Sequence, residues 1–177
     1  MTPLARGRRV SLHAPTARDR DAFLDAVSRS RTLHGRWVSP PSNAAEFSDH
    51  LRRVRKENAA GFLARRHQDG ALVGALTLSQ IVRDPFRSAY LGYYAFAPYQ
   101  GLGLMTEAID LTLRQAFGPL HLHRVEANVQ PGNAASIALV RRRGFRLEGY
   151  SPRYLKVAGR WRDHERWAIT SEDRRRP

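Results

Sequence analysis

The strongest constraint on this chain is an aromatic strand that runs straight into a glycine turn and then into a helix. The strand is the run Tyr90 to Phe96, and the turn and helix start are Tyr99-Gln100-Gly101-Leu102-Gly103-Leu104-Met105-Thr106-Glu107-Ala108. From Leu104 to Phe117 the apolar residues recur with helical period, placing Met105, Ile109, Leu113 and Phe117 on one stripe. A strand, a glycine turn and a helix start together aim backbone N–H groups at a phosphate. This segment therefore predicts a site for a phosphorylated cofactor. Two common versions of such a site are ruled out. A dinucleotide fingerprint needs a third glycine where Thr106 stands, and a nucleotide triphosphate loop needs a Gly-Lys-Ser/Thr that is absent. What remains is a short turn preceded by Gln100, whose side chain adds a donor.

The rest of the chain reads as short elements of both kinds. Arg9 to Leu12 alternates as a first strand. Thr16 to Asp19 caps a helix running to about Ser30, and Asn43 caps another to about Asn58, with Pro40-Pro41 between them. Gly61 to Arg66 and Ala71 to Ser79 are strands joined by a hairpin turn at Asp69-Gly70. Ser88 to Ala97 is the fourth strand and Val125 to Val129 the fifth. A short helix, Ala134 to Arg143, is closed by Gly144, and the strands Phe145 to Tyr154 and Trp161 to Thr170 complete the chain. The order predicts an α/β domain with a mixed, mostly antiparallel sheet. At 177 residues it is read as one domain over 1–177, with frayed tails at 1–8 and 171–177.

Composition removes several chemistries. There is no cysteine, so disulfides, thiolate metal sites and a cysteine nucleophile are excluded, and a cytoplasmic setting fits. No metal is called for. The N-terminus carries charge without an apolar core, which predicts no secretory signal, and no apolar run approaches a membrane span. The net charge of +14 is almost entirely arginine, with lysine only at Lys56 and Lys156. Such a surplus attracts RNA or a ribosome surface. It is equally the product of a GC-rich genome, and the sequence leaves both readings open.

A second block gives the glycine turn a context. Asn133-Ala134-Ala135-Ser136 opens the short helix, and Gly144-Phe145-Arg146-Leu147-Glu148-Gly149-Tyr150 follows it. Gln-x-x-Gly-x-Met with Thr-Glu-Ala, then Asn-x-x-Ser, then Gly-Phe-x-x-Glu-Gly resembles the GNAT acetyltransferase family over Leu91 to Tyr150. Tyr90-Leu91-Gly92-Tyr93, His123-Arg124, Tyr154-Leu155 and Trp161-Arg162-Asp163-His164 extend the likeness toward the RimJ and RimL group, and to its RimJ branch in particular. That group acetylates N-terminal amines of ribosomal proteins.

The resemblance implies a GNAT-like sheet whose strands splay at the cofactor, and acetyl-CoA as donor. Gln100, Gly101, Leu102, Gly103, Leu104 and Met105 would hold the pyrophosphate. Tyr94, Ala95 and Phe96 would lie along the pantetheine arm like an added strand, and Asn133 would contact it. Ser136 would sit near the sulfur as proton donor, with Glu126 and Tyr154 completing a catalytic set. Arg153 stands where some relatives carry a carboxylate, so the family's base does not transfer directly. Glu126, Glu148 and Asp163 are the acidic candidates, and His121, His123 and His164 the histidine candidates.

The acceptor can be weighed by its basicity. An α-amine has a pKa of about 7.7–8.0 and a lysine about 10.4, so roughly 15% and roughly 0.04% are neutral at pH 7, a gap of about 3.5 kcal/mol. A chain without a strong base therefore suits an α-amine. Attack would be direct, in a ternary complex, because there is no cysteine to carry an acyl group. A small-molecule amine and a ribosome- or RNA-associated role with little turnover are the alternative readings.

Overall fold

A computed structural model describes residues 2–174. In chain order the elements are β1 (Ala5–Arg6), β2 (Val10–His13), a 3-10 turn (Ala17–Asp19), α1 (Arg20–Arg29), α2 (Arg31–His34), α3 (Ala44–Val54), β3 (Ala60–Arg66), β4 (Leu72–Val82), β5 (Ser88–Ala95), α4 (Leu104–Phe117), β6 (Arg124–Val129), α5 (Ala134–Arg142), β7 (Arg146–Val157) and β8 (Arg160–Thr170). They build an eight-stranded sheet in the order β1-β2-β3-β4-β5-β6-β8-β7. Among the described residues no helix is long and apolar enough to cross a membrane.

Neighbouring strands are antiparallel except for β5 and β6, which are parallel and joined through the α4 crossover. That exception creates the site. The β5–β6 ladder covers Ser88↔Arg124, Ala89↔Val125 and Tyr90↔Glu126 and then ends, while β5 stays paired with β4 as far as Ala95. Beyond Tyr90 the two strands part and leave a slit through the sheet.

Each face of the sheet has its own core. On one face α4 packs against β2 to β6 and buries Leu104, Met105, Ala108, Ile109, Leu111 and Leu113. On the other, α1 and α3 cover Leu63, Leu72, Ala75 and Phe96 with Phe23, Phe47 and Leu51. The N-terminus of α1 is secured by a reciprocal contact. Thr16 donates its backbone N–H (2.7 Å) and its hydroxyl (2.8 Å) to Asp19, and Arg65 on β3 donates to the same carboxylate at 2.6 Å. Burial pushes the Asp19 carboxyl up, but the Thr16 and Arg65 bonds outweigh it and hold it below the usual range. Asp19→Ala is expected to cost about 1–3 kcal/mol in urea unfolding, since cap and ion pair go together. A depressed folded pKa gives stability that is full above the ordinary value of 3.8 and fades as pH falls through the folded one. Asp19→Asn should therefore flatten the acid limb of the stability curve.

Both expected tails make contacts where they are described. Leu4 donates to the Leu12 carbonyl at 2.8 Å, and β1 pairs with β2. Glu107, in the first turn of α4, accepts the backbone N–H of Arg9 at 2.8 Å and latches this segment down. At the other end Thr170 donates to Asp173, and Arg174 reaches Asp110 on α4 at 2.8 Å. Residues 175–177 of the expected C-terminal tail, and Met1, lie outside the described residues.

The strand β7 also runs past the Tyr154 end expected for it. A register shift between Ser151 and Leu155 absorbs Pro152, and Arg153 takes φ +49 there.

Candidate active site

The glycine turn forms where β5 leaves the sheet. Gly101 and Gly103 have φ of +77° and +75°, a region that L side chains enter at a cost of roughly 1–2 kcal/mol. Gly103 is the N-cap of α4, and no side chain caps that end. The first amides of α4, from Gly103 to Thr106, are thus open to an external acceptor. A Cβ placed on Gly101 would meet nothing within 4 Å, so the space above the turn is free. The turn is braced from below. Arg9 donates from Nη1 to the Leu102 carbonyl at 3.1 Å and from Nε to Glu107 at 3.3 Å.

The slit is bounded by the free edge of β5. Phe96 donates its N–H to the Val73 carbonyl at 2.9 Å, which turns the backbone of alternate residues Tyr94 and Gly92 toward β4. The N–H groups of Tyr93 and Ala95 consequently face the other edge, where the ladder to β6 has already ended. Side chains from the α1–α2 corner take up what lies just beyond. His34 donates from Nε2 to the Ala95 carbonyl at 2.8 Å, and Ser30 Oγ accepts the Ala97 N–H at 2.9 Å.

Phe96 differs from the other residues expected along the arm. Its ring is fully buried, its N–H goes to Val73 and its carbonyl accepts from Tyr99 at 3.0 Å. It shapes the strand end, with its ring in the core and its backbone groups paired within the chain. Tyr94 and Tyr93 are separated by the two-residue alternation of the strand. Tyr94 joins the α1–α3 core face, whereas Tyr93 packs toward α5.

On the α5 face, Asn133 accepts the N–H of Ser136 at 3.2 Å and starts the helix. Ser136 Oγ lies 2.6 Å from the Tyr93 hydroxyl. Burial pushes the Tyr93 phenol up to about 12, with Ser136 pulling it back, so it holds its proton at neutral pH. This pair was not foreseen: Tyr93 and Ser136 are remote in sequence, and only the slit brings them together.

Through the slit a cavity of about 430 Å³ opens toward the α1–α3 face. Its polar lining includes His50, Arg53, Tyr94, Asn128, Lys156 and His164. Asp and Glu are absent from the lining among the described residues. Two lining atoms, Tyr94 Oη and Asn128 Oδ1, are buried without a hydrogen-bond partner among the described residues. Orphaned buried polar atoms of this kind call for a ligand or water.

The expected acidic candidates lie elsewhere. Glu126 accepts from Arg124 Nε at 2.9 Å, and Glu148 is bound by Arg124 and Arg146. Asp163 accepts the Arg153 N–H at 2.7 Å and the Tyr150 hydroxyl, and so holds the β7 bulge. Tyr154 also misses the cavity wall. Hydrogen bonding to it, then burial, push the Tyr90 phenol up to about 12, and its ring packs 6.3 Å from that of His164. Arginine-rich surroundings explain the outcome: each of Glu126 and Glu148 has a guanidinium within reach. Of the three histidines, His123 pairs with Glu172 at the surface and His121 is exposed, while His164 is 3% exposed and lines the cavity.

The open amides of α4 and the free space over Gly101 lie where β5 leaves the sheet, and beyond Tyr90 the edge of β5 is no longer paired with β6, features that suit an anion and an extended arm. Comparisons with known proteins agree. A family model described as an acetyltransferase (GNAT) domain matches residues 9–146. The chain is 35% identical over 127 residues, 72% of its length and 70% of the other's, to a probable N-acetyltransferase, YjcK, of Bacillus subtilis. It is 41% identical over 102 residues to the ribosomal protein uS5-alanine N-acetyltransferase of Escherichia coli, a match covering 58% of this chain and 53% of that one. Mycobacterium smegmatis RimJ, solved in complex with CoA-disulfide, superposes with a TM-score of 0.86 at 31% identity, over 94% of this chain and 84% of that one.

Proposed function

The chain belongs to the GNAT acetyltransferase family, and from that premise we propose that it moves acetyl from acetyl-CoA to the N-terminal α-amine of a polypeptide, with ribosomal proteins as the first acceptors to test. Acetyl-CoA supplies a thioester carbon open to attack by an amine. The amides of Gly103 to Thr106, with Gln100 beside them, bind the pyrophosphate at the positive end of α4. The edge N–H groups of Tyr93 and Ala95 pair with the arm, and one of them stabilises negative charge developing on the thioester oxygen. Asn133 orients Ser136, and Ser136 Oγ, backed by the Tyr93 hydroxyl, donates a proton to the departing sulfur.

The observation that carries this reading is the cavity lining. It presents Arg53 and Lys156 and no carboxylate among the described residues. A polyamine or aminoglycoside has no counter-charge there, whereas a single α-amine, largely neutral near pH 8, needs none. The relative named for uS5-alanine acetylation points the same way.

The test is a steady-state panel with acetyl-CoA and equal concentrations of N-terminal peptides, lysine-only peptides with blocked N-termini, and spermidine. Free N-termini are expected to lead by roughly two orders of magnitude in kcat/KM at pH 7, following their neutral fraction. Faster turnover of spermidine or small amines than of any peptide would sink the reading.

A further inference from the structure

The acceptor amine must lose a proton before it can attack, and no carboxylate lines the cavity among the described residues. The geometry supplies another group. Val129 pairs with Glu165 and Asn128 with Arg166 across β6 and β8, so alternation sets His164 and Asn128 on the same face of the sheet, opposite Tyr93 and Ser136. Both line the cavity. His164 Nδ1 lies 3.0 Å from the Arg162 carbonyl. A carbonyl only accepts, so Nδ1 carries the hydrogen and Nε2 keeps its lone pair. The neighbouring Asp163 does not compete for the ring, because the β7 bulge engages its carboxylate. Asn128 Oδ1, buried and unpartnered, is an acceptor with no donor among the described residues.

We propose that His164 Nε2 is the base that takes the proton of the acceptor amine, while Asn128 Oδ1 accepts a second N–H and points the nitrogen lone pair into the slit. The proposal rests on the acetyl-transfer reading above, though not on the acceptor being a polypeptide. Its balance is simple. The ammonium gives one proton to Nε2, which passes it to water. The C–N bond then forms as the C–S bond breaks, the nitrogen sheds its second proton to water, and the sulfur takes one from Ser136 Oγ, which is reprotonated by solvent through Tyr93. One proton is released per turnover.

The surroundings favour this role. Burial lowers the His164 pKa below 6.5, partly offset by the bond to Arg162 and the charge of Asp163, so the ring is neutral at pH 7. The titratable and charged groups around it are Tyr154 against its ring, Arg162 and Asp163 beside it in the chain, Arg166 on its face, and His50, Arg53, Tyr94 and Lys156 across the cavity.

The first measurement is nitrogen NMR of the free protein, with His164 assigned from the His164→Asn variant. The Nδ1–H tautomer and a midpoint below 6.5 are expected, and an Nε2–H tautomer at pH 7 overturns the proposal. The second is kinetic, on whichever amine the panel finds best. His164→Asn keeps a donor to the Arg162 carbonyl without a base. For an α-amine it is expected to lose about tenfold in kcat/KM at pH 7, the modest effect that follows because roughly 15% of such an amine is already neutral. The deficit should shrink as pH rises past the pKa of the amine, with the affinity for CoA and the Tm held. A constant deficit at every pH, or none, overturns the base assignment. Preference for small amines over peptides in the panel overturns only the acceptor class, and leaves the His164 test to run on those amines.

Discussion

Gly101→Asp is expected to weaken CoA binding by roughly 30- to 150-fold in calorimetric titration, with a stability loss of only about 1 kcal/mol. Asp is among the residues that best tolerate positive φ, so the backbone strain at +77° stays small. The new side chain enters open space, since nothing lies within 4 Å of its Cβ. That space is where the anion is proposed to sit over the free amides of α4. A carboxylate there meets the pyrophosphate with like charge, worth several kcal/mol, and also satisfies the helix end in its place. Gly101→Asn is the control. It is similar in shape and uncharged, and should lose only severalfold. Equal losses in the two variants would mean that strain, and not charge, governs the turn.

Phe96→Ala is expected to destabilise the protein by about 3–5 kcal/mol, read by denaturant unfolding and as a fall in Tm of roughly 10 °C. Phe96 is 0% exposed and sits at the centre of an aromatic cluster. Its ring lies 5.6 Å from Phe23, 5.7 Å from Tyr94 and 6.1 Å from His34. Tyr94 lines the cavity, and His34 holds the Ala95 carbonyl, so the cavity loses its support along with the core. The KM for the acceptor should rise well before the protein unfolds. A variant with normal unfolding and normal KM would show that the strand end is held by its backbone bonds alone.

These two residues mark where sequence reading succeeds and where it stops. The glycine turn is local: glycines at fixed offsets, a helix start and the preceding strand lie within a few residues, and Leu104–Phe117 forms the helix that its period predicts. The strand expected through Phe96 ends one residue earlier, at Ala95. Whether an aromatic residue at a strand end faces core or ligand depends on its neighbours across the fold, which its own sequence does not carry. The surroundings of the acidic candidates are hidden from the sequence for the same reason. Glu126, Glu148 and Asp163 are plausible bases in a line of letters, and Arg124, Arg146 and Arg153 take them up in three dimensions. His164 closes the Trp161–His164 run, yet nothing local distinguishes it from His121 or His123.

The sequence by itself determined most of the order of elements, the glycine turn and the family, because each is written in short-range spacing and in the rigid demands of glycine, proline and helix caps; the short β1 and α2 were not legible in it. The tertiary structure decided the chemistry of the cleft. It ended the β5–β6 ladder at Tyr90, set Ser136 beside Tyr93 on one side of the opening, and left Asn128 and His164 on the other. Those residues come from separate strands and a helix, and only the packing of the sheet, which buries some polar groups with partners and leaves others without, determines which of them face a substrate.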